Sequence, residues 1–75
     1  MTKEQAQIVT NELLEKLGDK YIKNNIEYYI KNVMPHPKEN APEDTIVLVH
    51  LSSDTVSNFI AEDYNEFIQK YSPVV

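Results

Sequence analysis

The segment TIVLVHL, residues 45–51, constrains the fold more than any other stretch of the chain. Every residue in it except His50 is β-branched or leucine, a composition that favours a β-strand. Because a strand leaves its backbone N–H and C=O groups unpaired, it needs at least one neighbouring strand. The sequence therefore predicts a β-sheet, and its size depends on which other segments can pair with residues 45–51.

The segment DKYIKNNIEYYIKNVM, residues 19–34, is the best candidate for that partner. Its periodicity fits either a helix or a strand, so residues 21–34 remain open between the two. Tyrosine and isoleucine favour strands, and Asn24-Asn25 favours a turn. We therefore predict a strand over residues 26–34. Simple alternation places one set of side chains on one face, namely Ile26, Tyr28, Ile30 and Met34, and a second set on the other, namely Glu27, Tyr29, Lys31 and Val33.

The N-terminal segment predicts an amphipathic helix over residues 3–17. Thr2 and Gln5 have the spacing of a capping box. Gly18 is the single glycine of the chain and stands where a helix C-terminus favours a left-handed residue. The apolar stripe recurs at three- and four-residue spacing and comprises Ala6, Val9, Leu13 and Leu17.

A second amphipathic helix is predicted over residues 54–70, ending before Pro73. The alternative makes residues 56–60 a third strand and begins the helix near Asp63, where the spacing D-x-x-E favours a cap. Phe59, Phe67, Val47 and Leu13 are predicted to be core residues. The apolar stripe of the helix comprises Val56, Phe59, Ile60, Tyr64, Phe67, Ile68 and Tyr71.

Between the two strands, residues 35–44 contain three of the four prolines and four charged residues. Proline lacks an N–H and restricts φ, so we predict an exposed loop here. The resulting fold is a single α+β domain over residues 1–75. Its order is helix–strand–loop–strand–helix (αββα), with a two- or three-stranded antiparallel sheet packed on two amphipathic helices.

Composition excludes several classes of function. The chain has no cysteine, which removes disulfides, thiolate metal ligands and cysteine nucleophiles. His36 and His50 lack the short spacing of a metal site, and the serines beside His50 are more typical of helix capping than of a nucleophile. We find no glycine-rich phosphate loop. We therefore expect neither an enzyme nor a protein that holds a metal or cofactor.

Charge and hydropathy bear on location and partners. All seven basic residues are lysine, and the net charge is −5, so direct binding to nucleic acid is not expected. The N-terminus lacks the apolar core of a signal peptide, and no run of about 18 apolar residues occurs. We expect a soluble cytoplasmic protein without a membrane association. The abundance of lysine, asparagine and isoleucine, whose codons are AT-rich, suggests a bacterial or viral origin.

The acidic residues are concentrated in the second half of the chain. Residues 39–75 hold seven acids and one lysine, whereas residues 1–38 hold five acids and six lysines. Acids on one helix face favour association with a basic protein surface. Tyrosine beside an open strand edge is typical of interfaces. The predicted partner-binding residues are Asp54, Glu62, Asp63, Glu66 and Tyr29.

The function predicted from these features is that of a small, acidic, non-catalytic protein-interaction module. One concrete form is a regulator or inhibitor of a larger protein, encoded by a bacterium or a mobile element. Two alternatives remain open. The first is a structural homo-oligomer, such as a homodimer, that pairs through its strand edge. The second is an acidic DNA mimic that blocks a nucleic-acid-binding protein.

Overall fold

The computed structural model describes residues 1–55 and 59–74. Within them the chain forms two helices and five strands. The helices are α1 (Lys3–Leu14) and α2 (Tyr64–Lys70), and the strands are β1 (Lys20–Lys23), β2 (Ile26–Lys38), β3 (Ala41–Ser52), β4 (Ile60–Asp63) and β5 (Ser72–Pro73). The α+β class is confirmed. The predicted αββα order is wrong, because the described sheet contains five strands instead of two or three.

All neighbouring strands are antiparallel, in the order β4-β3-β2-β1-β5. β3 pairs with β2 along most of its length and with β4 at its end. Both helices contribute to one apolar cluster on a single face of the sheet. That cluster comprises Ala6, Leu13, Tyr28, Ile30, Val33, Val47, Val49, Leu51, Phe67 and Tyr71.

The tight turn between β1 and β2 follows from Asn24 and Asn25. Their φ angles are 52° and 64°, which is the left-handed pair that a two-residue hairpin favours and that asparagine tolerates well. The turn predicted at this dipeptide is confirmed. It adds β1 to the sheet, so residues 21–34 form a hairpin instead of a helix or one strand.

A β-bulge changes the faces that simple alternation assigns in β2. The register shifts between Ile30 and Asn32, so β2 gains one residue against β3. As a result Ile30 and Val33 are both buried on the helix-covered face, whereas Met34 lies on the other face and is 40% exposed. The predicted placement of Val33 and Met34 is therefore wrong beyond the bulge.

The predicted loop over residues 35–44 is instead the end of a long hairpin. β2 continues to Lys38, β3 begins at Ala41, and the turn consists of residues 39–40. The prolines are compatible with a strand because of the direction in which their backbone nitrogens point. The backbone N–H and C=O of Ile30 form hydrogen bonds with Asp19 and Gly18, and those of Thr45 form hydrogen bonds with Met1. The backbone groups of both residues therefore point away from the β2–β3 ladder. Thr45 is the Cα partner of Pro37, so Pro37, and Pro35 two residues before it, direct their nitrogens to the outer edge of β2.

That outer edge therefore lacks the donors that another strand would need. Pro35 and Pro37 have no N–H, and the N–H of Val33 donates to the Asn32 side chain at 2.9 Å. Pro73 has the same placement in β5, because the N–H of the next residue, Val74, donates to Lys20 in β1. Proline at outward positions is a known protection of sheet edges against pairing with other chains.

The first helix agrees with its prediction at the N-terminus and differs at the C-terminus. Thr2 accepts from the N–H of Gln5, and the Gln5 side chain accepts from the N–H of Thr2, so the capping box is confirmed. The helix ends at Leu14, three residues before the predicted end, and Leu17 is exposed. Gly18 has φ +88° as expected of a left-handed residue. Its N–H donates to the carbonyl of Ile30, so Gly18 joins the turn after α1 to β2 instead of capping the helix.

The second helix is shorter than predicted, and the alternative start near Asp63 describes it better. Asp63 is the N-cap and accepts from the N–H of Asn65 at 2.7 Å. The strand before it is Ile60–Asp63, whereas Val56 of the predicted third strand lies outside the described residues. Phe67 is buried as predicted. Phe59 is 56% exposed, so its assignment to the core is wrong.

The edge analysis leads to a prediction for the variant Pro35→Thr/Pro37→Thr. It restores two outward N–H donors on β2, so we expect concentration-dependent growth of large aggregates, measured by light scattering. The control is His36→Thr, because residue 36 directs its N–H toward β3 and the exchange adds no outward donor. Equal scattering from the double variant and the wild type would show that the prolines do not protect this edge.

Two phenylalanines provide a matched test of the core. Phe67→Ala removes a buried ring and should lower the free energy of unfolding by about 3–5 kcal/mol. Phe59→Ala makes the same change at an exposed position and should cost less than about 1 kcal/mol. Urea unfolding monitored by circular dichroism measures both, and similar losses for the two variants would contradict the observed core.

Candidate docking surface

The two faces of the sheet have different surroundings. Both helices pack on one face, and among the described residues nothing covers the other, which we call the open face. The alternation of side chains and the strand register show which apolar side chains lie on the open face. Phe59 belongs to them because the centre of its ring lies 4.9 Å from the centre of the His50 ring. The apolar and aromatic members are Ile22, Tyr29, Met34, Ile46, Leu48 and Phe59.

The centre of the open face is an apolar band on the two longest strands. Met34 and Leu48 are Cα partners across the β2–β3 ladder, and Ile46 lies two residues along β3 on the same face. Ile46 and Leu48 are half-buried, and Met34 is 40% exposed. Contiguous apolar surface of this kind marks interaction sites more often than isolated exposed residues do.

The two histidines flank this band. His36 is the Cα partner of Ile46, and His50 packs edge-to-face against Phe59. Across residues 1–55 and 59–74, no group of three or more histidine, aspartate or glutamate residues could hold a metal ion. The two histidines and Phe59 beside the apolar band therefore suit packing against another apolar surface, to which their rings would add contact area.

A small pocket lies at the end of the open face beside β1. Its volume is about 120 Å³. Tyr29 and Asp54, which were predicted as partner-binding residues from distant parts of the chain, both contribute to its wall. The full lining comprises Lys20, Glu27, Tyr28, Tyr29, Ser53, Asp54 and Thr55. The fold thus brings two of the five predicted residues together at one end of the open face.

Glu62 lies on the opposite, helix-covered face. Its carboxylate is 3.6 Å from the Lys23 ammonium, and its side chain is 18% exposed. The same ammonium lies 5.2 Å from the centre of the Tyr71 ring. Glu62 therefore has an intramolecular role, bridging β4 to β1 across the packed face, and its predicted role in partner binding stays a prediction.

The Tyr71 hydroxyl belongs to this cluster. Tyr71 is 4% exposed, and its hydroxyl has no hydrogen-bond partner of good geometry among the described residues. Burial and then the negative charge of Glu62 raise the pKa of Tyr71 well above its ordinary value. The phenol is therefore kept neutral, and its ring packs against Phe67 and Tyr28.

Two further predicted acids, Glu66 and Asp63, and also Asp44, which was not predicted, have partners within the chain. Glu66 pairs with Lys70 at 2.9 Å one helical turn away, and this hydrogen bond lowers the pKa of the Glu66 carboxyl. Asp63 caps α2, at the edge of the open face opposite β1. Asp44 pairs with Lys38 at 2.9 Å. The separation of charge along the sequence is thus partly neutralised by the fold, because lysines of the first half pair with acids of the second.

The residues that sequence reasoning missed are Met34, Ile46 and Leu48. Of residues 45–51 only Val47 was predicted to be a core residue, and Met34 was grouped with Tyr28 and Ile30, which lie on the other face. The available signal was the unbroken apolar run in β3. A strand in a sheet with one solvent-exposed face alternates apolar and polar residues. Apolar residues on both sides of a strand therefore indicate that both faces of the sheet are packed.

Comparison with protein-family models, with curated proteins and with solved structures finds no match to this chain. Neither of the two described helices has the length and apolar character required to cross a membrane.

The raised pKa of Tyr71 predicts a specific dependence of stability on pH. A group whose pKa is higher in the folded state stabilises the fold fully below its unfolded pKa, which is about 10 for tyrosine. That contribution is lost as the pH rises above this value, because only the unfolded state readily loses the proton. We expect Tyr71→Phe to fold at neutral pH and to show a smaller loss of unfolding free energy than the wild type between about pH 9 and about pH 11.

Urea unfolding across this pH range measures the effect. Tyr29→Phe is the control, because it removes a hydroxyl from the open face and leaves the buried cluster intact. If the wild type, Tyr29→Phe and Tyr71→Phe lose stability in parallel, the Tyr71 phenol is not held neutral by the fold.

Proposed function

We propose that this chain is a small, acidic, non-catalytic protein-binding module whose docking surface is the open face of the sheet. The observation that carries the proposal is the apolar band of Met34, Ile46 and Leu48 on an uncovered face. Burying such side chains against a partner stabilises a complex by about 25 cal/mol per Å² of apolar area, before the costs of association. A regulator or inhibitor of a larger protein is one concrete form of this function.

The geometry supports the open face over the acidic helix as the main contact. Glu62 and Glu66 are paired with lysines of the same chain, so a basic partner would have to compete with those contacts. Tyr29, Asp54 and Asp63 lie on or beside the open face and fit the rim of the docking surface. Charges at such a rim act mainly on the rate of association and on specificity.

The ion pairs of Asp44, Glu62 and Glu66 remove three of the twelve acids from the array of free carboxylates that a DNA mimic requires. Pairing through a strand edge is likewise disfavoured for β2, because its outer edge offers no free donor at residues 33, 35 and 37. Association through the open face requires neither free carboxylates nor free backbone donors.

The variant Met34→Lys tests the docking surface. It places an ammonium in the apolar band at a position that is 40% exposed, so the fold should persist while binding is lost. Leu14→Lys is the matched control, because Leu14 is 38% exposed on α1 and lies outside the open face.

Tagged wild type and both variants are used to capture proteins from extracts of the source organism, and recovered chains, including untagged copies of this one, are quantified by mass spectrometry. We expect chains recovered with the wild type and with Leu14→Lys to be lost with Met34→Lys. Equal recovery with all three baits would refute the open face as the docking surface.

A further inference from the structure

We propose that the outer edge of β4 accepts an extended segment of another protein as an additional antiparallel strand. The inference goes beyond the proposed function, because it concerns backbone groups at the edge of the sheet instead of side chains on the open face. Three observations carry it: the outward backbone groups of β4, the prolines on the other sheet edges, and the order of apolar and acidic residues along residues 59–63.

The strand register shows which backbone groups of β4 point outward. The backbone groups of Thr45 point away from β2, toward the side of β3 on which β4 lies. Alternate residues of β3 share this direction, so Leu51 and its Cα partner Ile60 form a hydrogen-bonded pair. Backbone direction also alternates along β4. The N–H and C=O of Ala61 and the N–H of Asp63 therefore point away from the sheet.

The outward backbone groups at the centre of β4 are accessible. Across residues 1–55 and 59–74, the backbone of Ala61 forms no hydrogen bond outside the sheet ladder. Ala61 is exposed, and the nearby Phe59 is 56% exposed. A strand edge that offers a free donor and a free acceptor is a template on which an extended peptide can add a strand.

The other edges of the sheet carry prolines that oppose strand addition. Pro35 and Pro37 remove outward donors from β2, and Pro73 does the same in β5. The strand β4 contains neither a proline nor a bulge. Because proline on an edge blocks pairing with another chain, the prolines of β2 and β5 leave β4 as the edge of the described sheet on which strand addition is favoured.

The side chains beside this edge define the chemistry of the segment that fits it. The sequence FIAED, residues 59–63, is apolar at its first three positions and acidic at its last two. In an antiparallel pair, the N-terminal part of the added strand lies opposite Glu62 and Asp63, and its C-terminal part lies opposite the apolar positions. Cross-strand pairs of opposite charge and of apolar residues are stabilising. The occupant is therefore a segment in which basic residues precede β-branched apolar residues.

Electrostatics favours such a segment over the β4 strand of a second copy. Glu62 already pairs with Lys23, so Asp63 is the main contact for a basic residue of the partner. One carboxylate oxygen of Asp63 accepts from the N–H of Asn65, which leaves the other oxygen available to a cation. A second β4 would bring the same two acids and no base to the junction. A basic segment instead complements the negative charge of residues 39–75, which hold seven acids and one lysine.

A synthetic peptide with the sequence KKVTV, acetylated and amidated at its ends, tests the inference with the full chain. Titration into the isotopically labelled protein is followed by NMR. At low salt we expect a dissociation constant on the order of 1 mM or below, because a short strand supplies few hydrogen bonds. The shifts should centre on the amides of residues 60–63, and the Ala61 amide should exchange more slowly with solvent. The reversed peptide VTVKK has the same composition and should bind at least about threefold more weakly.

The variant Ala61→Pro tests the backbone donor. It removes the outward N–H in the way that Pro35 and Pro37 do in β2, so the ladder with β3 should persist, as circular dichroism would show. We expect the affinity for KKVTV to fall at least about tenfold. Ala61→Val retains the N–H and should change the affinity by less than about threefold.

Two further comparisons do not depend on the folding of the proline variant. Asp63→Asn retains a good helix N-cap and removes the charge, so it should weaken binding about threefold at low salt and have little effect at high salt. N-methylation of the central valine of the peptide, which lies opposite Ala61, should abolish binding to the wild type. N-methylation of the threonine, whose N–H points away from β4, should leave the affinity within about threefold.

Several outcomes would overturn the inference. These are the absence of peptide binding to the wild type at millimolar concentration, equal affinity of a folded Ala61→Pro for KKVTV, and equal binding of the two N-methylated peptides. A dimer that forms without peptide and is abolished by Ala61→Pro would assign the edge to a second copy instead. The capture comparison of Met34→Lys with Leu14→Lys concerns the open face, so the proposed function stands or falls separately.

Discussion

The backbone ladder between β2 and β3 is the interaction on which the rest of this structure depends. It joins the two longest strands, and α1 packs across both of them. Met1 bonds to Thr45 at the side of β3, which ties the start of the chain to the same ladder. β1 and β4 extend it on either side through short pairings. In a chain without cysteine, a long ladder covered by two helices provides the buried area that a small domain requires.

The same ladder creates a problem that the prolines resolve. Two strands of this length extend beyond their shorter neighbours, so part of β2 has an outer edge without a partner strand. Pro35 and Pro37 remove the donors on that edge, and Asn32 in the bulge occupies the N–H of Val33. The bulge therefore has two effects: it keeps Val33 in the core, and it supplies the side chain that caps the edge.

Within residues 1–55 and 59–74, the open face is the side of the sheet that neither helix covers. The helix-covered face contains the cluster of Lys23, Glu62 and Tyr71, in which the two half-buried charges pair with each other beside the buried Tyr71 ring. The open face has an apolar centre and a rim in which both signs of charge occur. This difference between the two faces is the physical basis for the proposal that the open face binds a partner.

The sequence by itself determined the local features of this protein. The capping box at Thr2, the turn at Asn24-Asn25, the strand over residues 45–51 and the burial of Phe67 all follow from short-range preferences or strong periodicity. Tyr29 and Asp54 were also chosen from sequence, although their meeting at one pocket was not foreseeable. The α+β class followed from these elements.

Only the tertiary structure decided which edge, face and partner each residue has. Proline breaks a strand where its nitrogen must donate and is harmless where it points outward, and that direction depends on the register of the neighbouring strand. The one-residue bulge reversed the faces of Val33 and Met34, which no periodicity in a short segment specifies. Glu62 met Lys23 because the sheet brings β4 and β1 to the same packed face. Charge pairing and exposure depend on contacts between residues that are distant in sequence. They are therefore fixed only when the β2–β3 ladder sets the positions of those residues.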